Sequence, residues 1–270
     1  MIAPTSCYRL GLVSLGLGLL FLAPSSLSQT QSPQPNTANE SGGFVVSPVT
    51  ISIDSEAPAP NTFLTIRNNS ARAKRLQATA YRWTQLDPTT PKLEPTEEVV
   101  LFPLLLTLEA NQSRTLRLGI TAPPTSIEKT YRIIVEELPD PQTQNNPGTG
   151  INIRLAMSIP VFFQPKQPQS QPGITNLVSQ KGLFSFNLAN TGNTHYIARE
   201  IQVTGSDANG QTLFQKARKG WYVLADSVIP YSLELPQADC QKVATLTVQV
   251  KTDNNRNVSQ NLPTPKGVCP

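Results

Sequence analysis

The chain has 270 residues, with 22 Lys and Arg against 18 Asp and Glu, for a net charge of +4. The basic residues are scattered, and no segment alternates aromatic with basic side chains, which argues against a nucleic-acid partner. With 25 Pro, 15 Gly and few helix-forming runs, the composition fits many short strands joined by turns, an all-β chain.

Residues 1–28 read as a secretory signal peptide. Arg9 supplies the positive charge, residues 10–23 are apolar or small, and Ser26-Leu27-Ser28 offers small residues to a signal peptidase. The apolar run falls short of the roughly 20 residues that span a bilayer, so cleavage and export are expected rather than a retained anchor. Cys7 precedes that run, the wrong place for a lipid-modified cysteine. What remains is enough chain for about two small domains.

Residues 29–43 are polar and Pro-containing, with nothing to bury, and are expected to form a disordered leader. Strands are expected at 44–54, 62–67, 75–84, 98–102, 113–120 and 129–137. In the third, Leu76, Ala78 and Ala80 line one face and Gln77, Thr79, Tyr81 and Trp83 the other, and the sequence leaves open which is inside. A polar loop over 139–150 follows. Then Ile151, Ile153, Leu155, Met157, Ile159, Val161 and Phe163 are apolar at every second position. This period predicts one strand of roughly 43 Å. Pro160 lacks a ladder donor and points to a sheet edge. A long apolar edge aggregates unless a partner uses it. A Pro-rich spacer over 166–172 leads to further strands at 183–188, 196–204, 227–235 and 243–251, with a turn at 206–210. Domains at 44–165 and 173–270, each of about seven strands, fit two Ig-like β-sandwiches in tandem.

After cleavage, Cys240 and Cys269 remain, an even count that favours a disulfide in an exported chain. A two-residue hairpin loop at Asn254-Asn255 would set them opposite each other at the hairpin's open end. The chain-entropy effect of such a bridge is roughly 3–4 kcal/mol.

Enzymatic chemistry finds no foothold. His195 is the only histidine and sits at a turn-to-strand junction, with no G-x-S-x-G. No C-x-x-C, H-E-x-x-H, calcium-loop or phosphate-loop pattern occurs, so no metal or cofactor is expected. The pairs Glu97-Glu98 and Glu136-Glu137 alternate across strands, so at most one of each can face a site, and both are expected to be solvated.

Several segments together resemble the periplasmic pilus (fimbrial) assembly chaperones. They are Asn68-Asn69-Ser70, Pro103 followed by 108–118 with Arg117, YRIIVEELP at 131–139, INIRLAMSIPVFFQP at 151–165, and Asn190-Thr191-Gly192-Asn193. The resemblance covers about 44–253. It implies two Ig-like domains in a boomerang arrangement and a periplasmic chaperone that captures secreted or pilus-type subunits by donating an edge strand. An outer-membrane usher is the second partner class it implies, with no nucleic acid or small-molecule substrate. By position, Ile151, Ile153, Leu155 and Met157 match the donated row. The family's two basic anchors for a client's terminal carboxylate fall on Thr50 and Pro160, which carry no charge, and Arg154 is a candidate substitute. Glu128, Gln164 and Asp253 fall on the family's interdomain ion-pair positions, with Gln164 in place of Arg. The competing reading is an Ig-like structural or adhesive protein of the cell surface without chaperone activity.

Overall fold

The computed structural model describes residues 42–57, 60–87, 90–139 and 153–264. The expected signal peptide, Ile151 and Cys269 lie outside the described residues. Strands β1 (Phe44–Ser47), β3 (Asn61–Asn68), β6 (Val99–Phe102) and β8 (Ser113–Ile120) form a four-stranded sheet in the order β1-β3-β8-β6. A six-stranded sheet faces it, built from β2 (Ile51–Asp54), β4 (Lys74–Gln85), β5 (Pro91–Pro95), β7 (Leu105–Leu108), β9 (Lys129–Glu137) and β10 (Ala156–Gln164). Its order is β2-β10-β9-β4-β5, with β7 also on β4. The alternating side chains meet between the sheets: Leu64, Ile66, Leu116 and Leu118 from one, and Leu76, Tyr131, Ile133, Val161 and Phe163 from the other. Each such Leu or Ile contributes about 1.5–3 kcal/mol through burial. In β4, Leu76, Ala78 and Ala80 are therefore the inner face.

The strand expected over 44–54 is two strands in different sheets. β1 pairs antiparallel with β3, whereas β2 pairs parallel with β10. Pro48 stands between them, where the missing N–H ends one ladder and the chain crosses to the opposite sheet.

The second sandwich follows the same plan. β11 (Pro172–Gln180), β12 (Leu183–Asn190) and β16 (Ser227–Glu234) form a three-stranded sheet. β13 (Tyr196–Ser206), β14 (Thr212–Arg218), β15 (Tyr222–Val223), β17 (Thr245–Thr252) and β18 (Val258–Pro263) form the other. Its core is Phe184, Phe186, Leu188, Tyr196, Ile201, Val203, Tyr231, Leu246 and Val248. The hairpin expected at Asn254-Asn255 has a longer loop, 253–257, and pairs Val250 with Val258, one residue away from the register of a two-residue loop. Asn255 does take the positive φ (60°) expected of a turn Asn. Cys240 ends a single helical turn, α1 (Gln237–Cys240), where it is buried and disulfide-bonded.

One device closes both sandwiches. Asn68, at the end of β3, donates through Nδ2 to the carbonyls of Arg72 (2.7 Å), Leu108 (3.1 Å) and Glu109 (3.1 Å). Its Oδ1 accepts from the Ser70 N–H (2.9 Å) and hydroxyl (2.6 Å). Asn190, at the end of β12, donates to Thr194 (2.8 Å), Val223 (3.2 Å) and Leu224 (3.1 Å), and accepts from the N–H groups of Gln171 and Gly192 (both 3.0 Å). Each amide ties loose chain to the end of its own sandwich, with donor and acceptor both satisfied.

The acid pairs are not simply solvated. Glu98 accepts from Lys129 (3.1 Å), Tyr131 Oη (2.9 Å) and Arg82, and Glu137 pairs with Lys74 at 2.6 Å. Burial alone would raise the Glu98 carboxyl, but the hydrogen bonds from Lys129, Tyr131 and Arg82 outweigh it and hold the group below its ordinary 4.5. Burial and the same carboxylate push the Tyr131 phenol up.

Two outcomes are expected. Asn68→Asp, or Asn190→Asp, sets an oxygen against three carbonyl oxygens and lowers stability by roughly 2–3 kcal/mol in urea denaturation. For Glu98, a lowered carboxyl adds stability above its ordinary value that is lost as pH falls through the folded value. Stability measured by thermal melting should therefore fall below about pH 4.5 in the wild type. Glu98→Gln should be less stable at neutral pH by roughly 1.5–3 kcal/mol and show a flatter profile through that window.

Candidate functional site

Strand β10 holds a neighbour on one side along nearly all its length and on the other for less than half of it. It pairs with β9 from Ala156 to Phe163. On its opposite edge β2 begins only at Val161, leaving Ala156 to Pro160 with no strand partner among the described residues. The edge status expected from Pro160 thus holds for the first part of the strand, while Val161 to Gln164 lie inside the sheet.

The strand is also shorter than the thirteen-residue row. It starts at Ala156, so Ile153 to Leu155 precede it, although the Leu155 carbonyl still accepts from the Glu137 N–H at 3.0 Å. Burial changes sharply along the row: Ile153 is 83% exposed and Leu155 38%, Met157 is half-buried against the core, and Ile159 is 2% exposed. One apolar row therefore fills its own core with Ile159, Val161 and Phe163, and presents Ile153 and Leu155 outward beside an unpaired backbone edge.

The two anchor positions lie side by side. Val161 opposes Ile51 in parallel register, so one step earlier Pro160 stands beside Thr50, where the open edge stops against β2. Thr50 is exposed, Pro160 is buried, and neither supplies a charge. Arg154 is exposed and lies ahead of the strand.

Residues 43–169 match the family model of the pili and flagellar-assembly chaperone, N-terminal domain. The first domain belongs to this family. Similarity to solved chaperone structures extends over both sandwiches. A chain of the CsuC–CsuE chaperone–tip adhesion subunit complex from the archaic Csu pili of Acinetobacter baumannii is 18% identical, with a TM-score of 0.55 over 82% of this chain and 98% of that one. The class 5 fimbriae chaperone CfaA is 14% identical, with a TM-score of 0.53 over 83% and 100% of the two chains. The YadV chaperone is 13% identical, with a TM-score of 0.53 over 82% and 99%. At these identities the likeness is one of fold. No curated protein sequence matches the chain.

At the junction of the two sandwiches, Glu128 is the central polar group. Its side chain is fully buried. It accepts from Thr194 Oγ1 (2.7 Å) and the His195 N–H (3.0 Å), and lies 2.7 Å from His195 Nδ1. The His195 ring stacks on Phe162, with centroids 3.7 Å apart. Beside it Trp83, Phe162 and Leu224 form an apolar cluster with Tyr222 and Leu93 at its margin. Gln85 donates to the Tyr222 carbonyl (2.7 Å) and accepts from the Leu224 N–H (3.3 Å). Trp83 is buried although it belongs to the outer face of β4, because the second domain covers it.

The expected trio divides. Glu128 bridges the domains through Thr194 and His195. Asp253 instead caps the Ile197 N–H at 2.8 Å within the second domain, and Gln164 makes no side-chain hydrogen bond among the described residues. His195 was missed as an interdomain residue, since a lone histidine carries no periodicity or motif. Among the described residues no group of three or more His, Cys, Asp or Glu is placed to hold a metal, and no helix is long and apolar enough to cross a membrane.

Glu128→Ala should leave three donors without an acceptor and destabilise the junction by roughly 2–4 kcal/mol. The expected readout is faster hydrogen exchange at 193–196, with the β-strand cores of both domains unchanged.

Proposed function

We propose that the protein is a non-enzymatic periplasmic chaperone that captures secreted or pilus-type subunits by strand addition along the open edge of β10. One observation carries this reading: among the described residues the backbone of Ala156 to Pro160 has no strand partner on one side, beside an apolar row whose leading members are exposed. In strand addition, main-chain hydrogen bonds give affinity and alternate side chains set register. An incomplete β-subunit would receive Ile153 and Leu155, with Met157 continuing the row and Ile151 extending it. The rest of the row holds the donor strand in its own domain. The family match supports the assignment, because pilus chaperones work in the periplasm and the CsuC–CsuE structure is a chaperone–tip adhesion subunit complex.

The chemistry available on this edge is burial. A fully buried Ile or Leu contributes about 1.5–3 kcal/mol, whereas Thr50 and Pro160 offer no ion pair. Ile153→Asp or Leu155→Asp should abolish client capture, since each places an unpaired charge in an apolar pocket. Both residues are exposed in the free protein, so the variants should fold normally by circular dichroism. Thr50→Ala should retain the client. The measurement is client retention on the purified chaperone from a native periplasm; capture by both folded Asp variants together with loss in Thr50→Ala would end the strand-addition reading.

A further inference from the structure

Which edge a strand residue serves follows from its place in the ladder. In an antiparallel pair, successive residues turn N–H and C=O together, first toward the neighbour and then away from it. The Leu155 carbonyl accepts from the Glu137 N–H at 3.0 Å, so the odd-numbered residues of β10 serve β9. At the other end of the strand the Gln164 carbonyl accepts from the Ser55 N–H at 3.3 Å, so the even-numbered residues serve the β2 side. The two bonds agree in phase, and the register between them is unbroken. Ala156, Ser158 and Pro160 therefore turn their backbone groups to the side that β2 covers only in part.

Pro160 thus lacks its N–H on that side and not on the side of β9. The slant of a parallel ladder fixes what the missing donor would have met. Gln164 stands opposite Asp54 and accepts from the residue after it, Ser55; by the same slant, a donor on β10 reaches the residue before its partner. The partner of position 160 is Thr50, so its donor would reach the Val49 carbonyl. That bond cannot form. The Pro160 carbonyl is still in phase with the Ile51 N–H, and Ile51 is where β2 begins. Before it the chain bends away, leaving Thr50 exposed and Val49 66% exposed.

At this point the edge is open to closure by its own chain. Val49 and Thr50 are joined to β2, which is already aligned with β10, so no loop has to close for β2 to grow along the strand. Each rung it gained would be lost to a client strand, because both need the backbone donors and acceptors of Ser158 and Ala156. Proline is one of the residues that blocks pairing at a sheet edge.

We propose that Pro160 keeps the open edge of β10 open: by withholding the next ladder donor it stops β2 at Ile51 and reserves Ala156 to Ser158 for the captured strand. The role is one of positioning. It rests on the strand-addition reading above, which a separate arm of the test isolates.

Pro160→Val keeps an apolar side chain of similar bulk and restores the N–H. In the free mature variant, the amide proton at position 160 is expected to be protected from hydrogen exchange, with new protection at Val49. A short synthetic peptide alternating Val and Thr should bind the variant roughly two- to tenfold more weakly than the wild type, the scale of one net hydrogen bond. The melting temperature should hold or rise, whereas loss of a merely structural proline lowers affinity and melting temperature together. If Pro160→Val does not fold, Pro160→Ala carries the same comparison. Ser158→Pro removes an open-side donor that β2 does not reach, and should weaken the peptide by a similar factor without new protection at Val49. An unprotected amide at position 160, unchanged peptide binding, or affinity and melting temperature falling together overturns the proposal. A full effect of Ser158→Pro with none of Pro160→Val overturns it and leaves strand addition standing. If the wild type binds no peptide, or Ser158→Pro binds it as the wild type does, strand addition fails and the proposal falls with it.

Discussion

Backbone pairing along β10 is divided unequally between its two edges, and the rest of the molecule is arranged around that inequality. β9 satisfies one edge from Ala156 to Phe163, while β2 reaches only Val161 to Gln164 on the other. Side chains on alternate positions inherit the same division. Ile159, Val161 and Phe163 complete the first core, and Ile153 and Leu155 do not. A single row thus anchors a strand firmly at one end and leaves its other end apolar and unpaired. That combination suits capture, because the strand is held in an extended shape before a partner arrives and pays little ordering entropy on pairing.

β2 has its position because of Pro48. Had the strand from Phe44 continued in one sheet, the edge of β10 would have been either bare throughout or covered throughout. The break sends Phe44–Ser47 to β3 and Ile51–Asp54 to β10.

The junction joins two kinds of contact. Glu128 provides directional polar contacts to Thr194 and His195, and the Trp83, Phe162 and Leu224 cluster provides apolar burial. His195 belongs to both, hydrogen-bonded at Nδ1 and stacked on Phe162. Because Phe162 lies on β10, the strand that presents the open edge is also the one gripped by the second domain. The linker is pinned as well: Asn193 exchanges hydrogen bonds with Gln167 and Gln169 at 2.7–3.0 Å.

Period-two alternation was enough to determine the all-β class, most strands and the apolar row from Ile153 to Phe163, because side-chain direction in a strand is a local property of the chain. The asparagines at 68 and 190 were visible as family-like turns, though their role in tying each sandwich shut was not. What alternation could not determine is what lies beside a strand. Ile153 and Ile159 are identical in sequence terms, and only the reach of β9 and the depth of the sandwich make one 83% and the other 2% exposed. The same reason hid the inner face of β4, where Trp83 is buried by a different domain from the one that buries Leu76. It also hid the Glu128–His195 contact, which joins residues far apart in the chain. Local geometry is written in successive residues; partnership across sheets and domains is set by how the sheets are ordered and docked, and that was decided by the tertiary structure.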